Sequence, residues 1–325
     1  MASERNLTAL RNVLARIWPG GDAITAVTPL IAGHSNETYL LEGVDAVLRL
    51  PPASAPLLKG HGVVAQAQIY QALADDPKAP PAPRILHLCE DAGPLGDPFF
   101  IMEKVRGQAV TDYAIPAWFT EASAEARNSV SRQWAAAIGK IATLEPLVVL
   151  GAPVSPEDSA REWRAMALEA DCPALVALFD RLLSRPAPIS GPPTPVHGDS
   201  KIANLMWDDF QLSSVLDWEL AYNGEPLSDL GYMIYFFRPE AYSGEPLPSL
   251  SGMIDRSEVV KTWEQASGRS AEGWEWYEAA AIGKMAAIIA YGYALATAGH
   301  TFDPRWLRWK ERLDANIAMM EAMLP

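Results

Sequence analysis

An Asp, a Lys and an Asn stand at offsets 0, +2 and +5 in the run Val196-His197-Gly198-Asp199-Ser200-Lys201-Ile202-Ala203-Asn204. A further Asp follows 13 residues after the Asn, in Leu216-Asp217-Trp218-Glu219. These residue types at this spacing suit phosphoryl transfer from ATP. That reaction needs a carboxylate beside the attacking hydroxyl, hard oxygen ligands for magnesium, and a cation facing the moving group. Asp199 is the candidate catalytic base, placed to orient a substrate hydroxyl and accept its proton. Asn204 would give its amide oxygen to Mg2+, and Asp217 would bridge metal and nucleotide phosphates. Lys201 would lie beside the γ-phosphate, where a cation offsets developing charge. Each residue taken singly reads as a solvated loop charge or a cap, and the joint spacing carries the functional reading. His197 reads as a structural residue that hydrogen-bonds the loop, while His34, His61, His87 and His300 are too scattered for a metal site.

Elements on either side must hold these residues. Ile24–Ile31, Thr38–Leu41 and Ala46–Leu50 are rich in β-branched and apolar residues and predict strands, with the turn-like Gly33-His34-Ser35-Asn36 between the first two. Val63, Ala67, Tyr70 and Leu73 recur at helical spacing. A proline-rich break at Pro77–Pro83 precedes two more strands, Ile85–Cys89 and Pro98–Met102. Beyond Val105-Arg106-Gly107, the spacing of Val130, Trp134, Ile138 and Ile141 predicts a core-facing helix. A Pro/Gly-rich connector over 185–195 leads into a strand, the Asp199 loop, a strand, a turn at Asp208-Asp209 and a strand. Trp274–Thr297 and Trp306–Leu324 read as long terminal helices. The order predicts an α+β, two-lobed fold. Residues 1–104 would form a nucleotide-binding lobe with one helix, and residues 105–325 a mainly helical lobe that also takes the acceptor.

The chain has 325 residues, 49% of them hydrophobic, enough for a sizeable core. Its net charge is −14, with 8 basic against 11 acidic side chains in residues 1–104 and 18 against 29 in the remainder. That acidity argues against nucleic acid as a partner, since binding a phosphate backbone needs a positive surface. It suits a soluble acidic surface and is compatible with a cationic substrate. Two cysteines, Cys89 and Cys172, point to neither a disulfide framework nor a metal cluster, and a cytoplasmic protein is expected. Met1–Arg16 carries charges and lacks an apolar signal core. The apolar run Ala279–Ala298 contains Lys284 and reads as a buried helix rather than a membrane span.

The run His197-Gly198-Asp199 with Asn204 resembles the H-G-D-x-x-x-x-N catalytic loop of the aminoglycoside phosphotransferase family, which are protein-kinase-like small-molecule phosphotransferases. Leu216-Asp217-Trp218-Glu219 through Gly224, Pro226, Leu227, Asp229, Leu230 and Gly231 is similar to that family's D-W-E…G-x-P-x-x-D-L-G run. Three further runs are similar to the branch associated with acyl-CoA dehydrogenases. They are Gly33–Tyr39, Val47–Pro52, and Cys89–Ala92 with Gly96, Pro98 and Met102-Glu103. The resemblance implies a protein-kinase-like fold, ATP and Mg2+ as cofactors, with GTP left open, and a small-molecule hydroxyl acceptor. It further implies that Gly33, His34, Ser35 and Asn36 cover the phosphates and that Arg49 takes the place of the strand lysine at the α- and β-phosphates. Met102 to Val105 would form the hinge, with backbone groups of Glu103 and Val105 on adenine, and Asp229 would brace the catalytic loop.

Two departures from the family pattern stand out. The strand cation is Arg rather than Lys, a wider fork that is always charged. The helix Val63-Val64-Ala65-Gln66-Ala67-Gln68-Ile69 lacks the glutamate that usually pairs with it, and Gln66 is the best match for that position, with Gln68 second. Two classes of function therefore stand: a small-molecule kinase, with a hydroxylated acyl or other catabolic compound favoured over an aminoglycoside, and a non-catalytic nucleotide-binding regulatory module. Protein kinase activity fits poorly, because Asp217 runs directly to Pro226 and Asp229 with no activation segment. The oligomeric state is left open.

Overall fold

Leu7, Leu10, Leu14 and Ile17 recur on one helical face behind Asn6, whose side chain accepts the Ala9 amide at 3.0 Å. They form α1 (Leu7–Ile17), a helix beyond the single one expected in this third of the chain. In this computed structural model, residues 5–30, 36–52, 60–111, 115–242, 246–247, 250–300 and 303–324 are described. The chain divides into two compact units: Met1–Arg106 with Ser213–Leu220, and Gly107–Leu212 with Ala221–Pro325. Asp217 therefore belongs to the first unit, although it follows the catalytic loop in sequence.

The first unit holds β1 (Ala26–Leu30), β2 (Glu37–Glu42), β3 (Ala46–Leu50), α2 (Val63–Asp75), β4 (Ile85–Cys89) and β5 (Phe99–Glu103). The strands form one antiparallel sheet in the order β1-β2-β3-β5-β4. Alternation along a strand sends neighbouring side chains to opposite faces. Leu48 and Leu50 of β3, with Phe99 and Ile101 of β5, join Leu10 and Leu14 of α1 in one apolar cluster. Arg49 and its pairing partner Phe100 alternate with them, and Tyr70 of α2 meets the Phe100 ring edge-on at 6.1 Å. The register of β3 thus sets Arg49 on the face away from the α1 cluster.

The second unit follows with β6 (Gln108–Ala109), α3 (Ala117–Thr120), α4 (Ala124–Ile141), α5 (Pro156–Glu169), α6 (Pro173–Leu183), β7 (Thr194–Val196), β8 (Leu205–Asp208) and β9 (Gln211–Val215). The last of these strands continues into the segment that belongs to the first unit. Then come β10 (Tyr222–Gly224), α7 (Leu227–Tyr235), α8 (Arg256–Ser267), α9 (Trp274–Thr297), α10 (Arg305–Arg308) and α11 (Lys310–Met323). The last helix was expected as one piece from Trp306, but it breaks at Trp309, whose backbone (φ −85°, ψ 8°) leaves the helical region.

α9 is long and apolar enough to cross a membrane by length and composition, yet it packs against α5, α6, α7 and α11. Its buried Glu278 pairs with Arg238 and Arg256, as expected of a core helix. Gly231 lets α7 approach α9 closely: a Cβ there would lie 2.4 Å from the Tyr277 carbonyl carbon.

Candidate functional site

The second unit carries the candidate catalytic loop. β7 pairs with β10, Val196 opposite Tyr222, and the loop leaves β7 directly at His197. The loop is tied down through its backbone. Both oxygens of the buried Asp229 carboxylate are used: Oδ2 accepts His197 N–H at 2.6 Å and Oδ1 accepts Gly198 N–H at 3.0 Å. Burial pushes the Asp229 carboxyl above its usual range, against the pull of His197, the two amides and Lys284. Ser200 donates its hydroxyl to Asp229 O, and the Trp134 indole of α4 donates to Ser200 O at 2.9 Å. Gly198 takes a left-handed backbone (φ 78°), which costs glycine little. His197 is fully buried and its Nδ1 accepts Asp199 N–H at 3.2 Å, in line with the structural role expected for it.

Asp199 is held on both carboxylate oxygens. Tyr232 of α7 donates its hydroxyl to Oδ1 at 2.6 Å, and Asn204 Nδ2 donates to Oδ2 at 2.8 Å. Lys201 Nζ lies 3.4 Å from Oδ2. Burial would raise the Asp199 pKa, but Lys201, the Tyr232 hydroxyl, Lys284 and Asn204 outweigh it and hold it down to about 2. So acidic a carboxylate is a weak proton acceptor. It suits orienting a hydroxyl for a loose transition state, in which little proton abstraction is needed early.

Asn204 Nδ2 also donates to Asp199 O at 2.8 Å. With its amide nitrogen committed twice to Asp199, its amide oxygen is the group left for a cation.

Two residues of this cluster were not anticipated as site residues. Tyr232 stands three residues after Asp229, one helical turn along α7. Lys284 is the lone cation in an apolar helical run, and it is buried. Its ammonium donates to Gly198 O and sits 4.8 Å from the Tyr232 ring centroid and 4.9 Å from that of Trp163. Burial lowers its pKa to about 8 despite the nearby Asp199 and Asp229. A charged residue buried among apolar neighbours is itself the signal that could have marked it.

The first unit carries Arg49, Asp217 and Glu219. Arg49 Nη2 lies 2.5 Å from Asp217 Oδ1 and 4.0 Å from Glu219 Oε2. Burial disfavours the Arg49 charge, but these carboxylates more than compensate and raise its pKa. Asp217 stands in the left-handed region (φ 68°), and its amide donates to the Tyr70 hydroxyl at 3.0 Å. The expectation that Gln66 partners Arg49 is corrected. Gln66 Nε2 donates instead to His61 O at 2.6 Å, its Oε1 makes no hydrogen bond, and the carboxylates on Arg49 come from the D-W-E segment. An amide cannot match a carboxylate as partner to a guanidinium, so the charged groups take the position.

Asn36 donates to Glu219 Oε2 at 3.0 Å. Gly33, His34 and Ser35 lie outside the described residues. Of the residues expected at the hinge, Met102 is buried in β5, and Glu103 N–H donates to Arg84 O at 2.9 Å.

The donor types suit a magnesium nucleotide: Asn204 in the second unit and Asp217 in the first each carry a hard oxygen, and no group of three His, Cys, Asp or Glu among the described residues is placed to hold a metal by itself. Magnesium bound by one or two protein oxygens plus phosphates is the usual arrangement at such sites. Arg49 Nε is buried and makes no hydrogen bond, a donor suited to a phosphate oxygen.

Comparisons with known proteins bear on the fold and the family. A provisionally assigned aminoglycoside phosphotransferase from Ralstonia eutropha JMP134 has the same fold, with a TM-score of 0.78 and 23% identity, covering 98% of this chain and 97% of that one. The hygromycin B and AMP-PNP complex of the aminoglycoside phosphotransferase APH(4)-Ia gives a TM-score of 0.58 at 15% identity, over 95% and 97% of the two chains. The fold is thus the kinase-like α+β fold of these phosphotransferases. In sequence, mouse acyl-CoA dehydrogenase family member 10 is 27% identical over 82% of this chain and 26% of its own length. Human acyl-CoA dehydrogenase family member 11 is 26% identical over 84% of this chain and 36% of its own length. The chain thus spans roughly a quarter to two-fifths of these relatives. The phosphotransferase enzyme family matches residues 26–279, which include the catalytic loop, Arg49, Asp217 and Lys201. The chain belongs to the phosphotransferase enzyme family.

Proposed function

We propose that the protein transfers the γ-phosphoryl group of ATP, with Mg2+, to a hydroxyl group of a small molecule. The observation that carries this reading is the Asp199 carboxylate, kept ionised and fixed on both oxygens by Tyr232 and Asn204. In this scheme Asp199 orients the acceptor hydroxyl, and Lys201 balances charge on the transferred group. Asn204 and Asp217 hold magnesium, which would neutralise the phosphates and bridge them to the protein when bound. Arg49 and the segment ending at Asn36 hold the phosphates.

The favoured acceptor is a hydroxylated acyl compound or a related catabolic intermediate. Support comes from relatives named as acyl-CoA dehydrogenase family members, in which this chain matches only a part. An aminoglycoside-like acceptor ranks second, on the fold shared with aminoglycoside phosphotransferases. The cytoplasm is the proposed compartment, since Cys89 and Cys172 are both free thiols.

The test is ATP consumption with Mg2+ across pooled hydroxylated metabolites and antibiotics, with Asp199→Ala beside the wild type. Acceptor-dependent turnover lost in the variant supports the reading. Tight ATP binding without turnover on any pool would favour a nucleotide-binding regulatory module instead.

A further inference from the structure

Arg49 lacks a helix carboxylate, because Gln66 stands at that position and turns to His61 O. Glu219 is placed to take over the role. Its Oε2 accepts a hydrogen bond from Asn36 Nδ2 at 3.0 Å and lies 4.0 Å from Arg49 Nη2. Its backbone carbonyl accepts His61 N–H at 2.7 Å, just ahead of α2. Gly60 lies so close that a Cβ there would stand 2.9 Å from the same carbonyl oxygen. Glu219 therefore touches three segments of the first unit: the Asn36 end of the β1–β2 loop, the cation of β3, and the approach to α2. Its side chain is only 12% exposed, so its charge is weakly screened, and it adds to the pull of Asp217 on Arg49.

The closer partner of Arg49 is Asp217, yet Asp217 is also the carboxylate assigned to magnesium. One carboxylate cannot hold the guanidinium and serve the metal equally well. Glu219 can keep Arg49 in place whichever way Asp217 turns.

We propose that Glu219 is a positioning residue for the nucleotide, holding Arg49 and Asn36 in register at the phosphates in place of a helix glutamate. This rests on the function proposed above. The residue acts through Arg49, so its effect should depend on Arg49 and should not require the metal.

The experiment is calorimetric titration of ATP in EDTA into wild type, E219Q, R49A and E219Q/R49A, with thermal melts to confirm folding. E219Q is expected to weaken metal-free ATP binding about tenfold, the scale of one ion pair in a shielded site. In the R49A background the same change is expected to have no further effect, since the group it acts through is gone. With Mg2+ and an acceptor, E219Q should raise the KM for ATP and leave the KM for the acceptor unchanged. E219D keeps the charge on a shorter stem, is expected between wild type and E219Q, and carries the same cycle if E219Q does not fold. Equal binding by wild type and E219Q overturns the inference, as do effects of E219Q and R49A that simply add. A wild type that binds ATP neither in EDTA nor with Mg2+ overturns the proposed function and this inference with it, and one that binds only with Mg2+ overturns the inference alone. A wild type that binds while the E219 variants are unaffected overturns the inference alone.

Discussion

Tyr232 donates its hydroxyl to Asp199 Oδ1 at 2.6 Å, so a residue of helix α7 fixes the rotamer of the loop carboxylate. The bond is charge-assisted and shielded from water, with Tyr232 only 5% exposed. Such bonds contribute more than neutral ones. Tyr232→Phe is expected to lower kcat about tenfold or more and leave ATP affinity unchanged, because Asp199 loses its alignment while the nucleotide residues are untouched. Steady-state kinetics with a separate ATP titration checks this. An unchanged kcat would show that Asn204 and Lys201 suffice to hold Asp199.

Asp199 makes stability depend on acid. Its folded pKa, about 2, lies below the ordinary 3.8. A carboxylate depressed on folding contributes stability that is present above the unfolded value and lost as pH falls through the folded one. Wild type should therefore lose about 2 kcal/mol more than Asp199→Asn between pH 4 and pH 2. Urea melts at each pH measure the difference. Parallel pH dependence in the two proteins would contradict the assignment.

Lys284 has linkage of the same sign in an alkaline window. Its folded pKa, about 8, lies below the ordinary lysine value of 10.5 because burial disfavours the ammonium. From pH 8 to 10.5 the unfolded chain binds a proton that the native protein does not, so native stability rises with pH across that window. Relative to Lys284→Met, wild type should gain stability over this range and show no such gain between pH 6 and 7.5. Denaturant melts over pH 6 to 10.5 test the sign.

Asp229 is the anchor of the catalytic loop. Asp229→Ala leaves the buried amides of His197 and Gly198 without acceptors. The expected loss is about 2–4 kcal/mol of stability, together with a fall in kcat. Asp229→Asn keeps one acceptor oxygen and should cost less on both counts. A variant that melts like wild type would mean that other contacts hold the loop.

Much of this was legible before the coordinates. The alternation and apolar runs located the five strands of the first unit, because a strand buried on one or both faces writes its environment into the sequence. The 3.6-residue spacing over Val63–Leu73, and the length of the apolar run through Trp274–Thr297, did the same for helices. Helix α1 was legible too, in Leu7, Leu10, Leu14 and Ile17 behind a capping Asn6, but the strand-rich reading of this region passed over it. The Asp199, Lys201, Asn204 and Asp217 set could be read because one short loop and one hairpin fix those spacings locally.

The chain's order of residues carries the set of chemical groups and the elements that bear them, and packing sets how those groups pair. Arg49 meets Asp217 and Glu219 across 168 and 170 positions of chain, and Asp199 meets Tyr232 across 33. Lys284 reaches Gly198 across 86. No local period encodes such distances, since they arise from the packing of strands and helices. The missing helix glutamate shows the consequence: the resemblance to the family pointed to Gln66, while packing brought a carboxylate from a different segment to the same guanidinium.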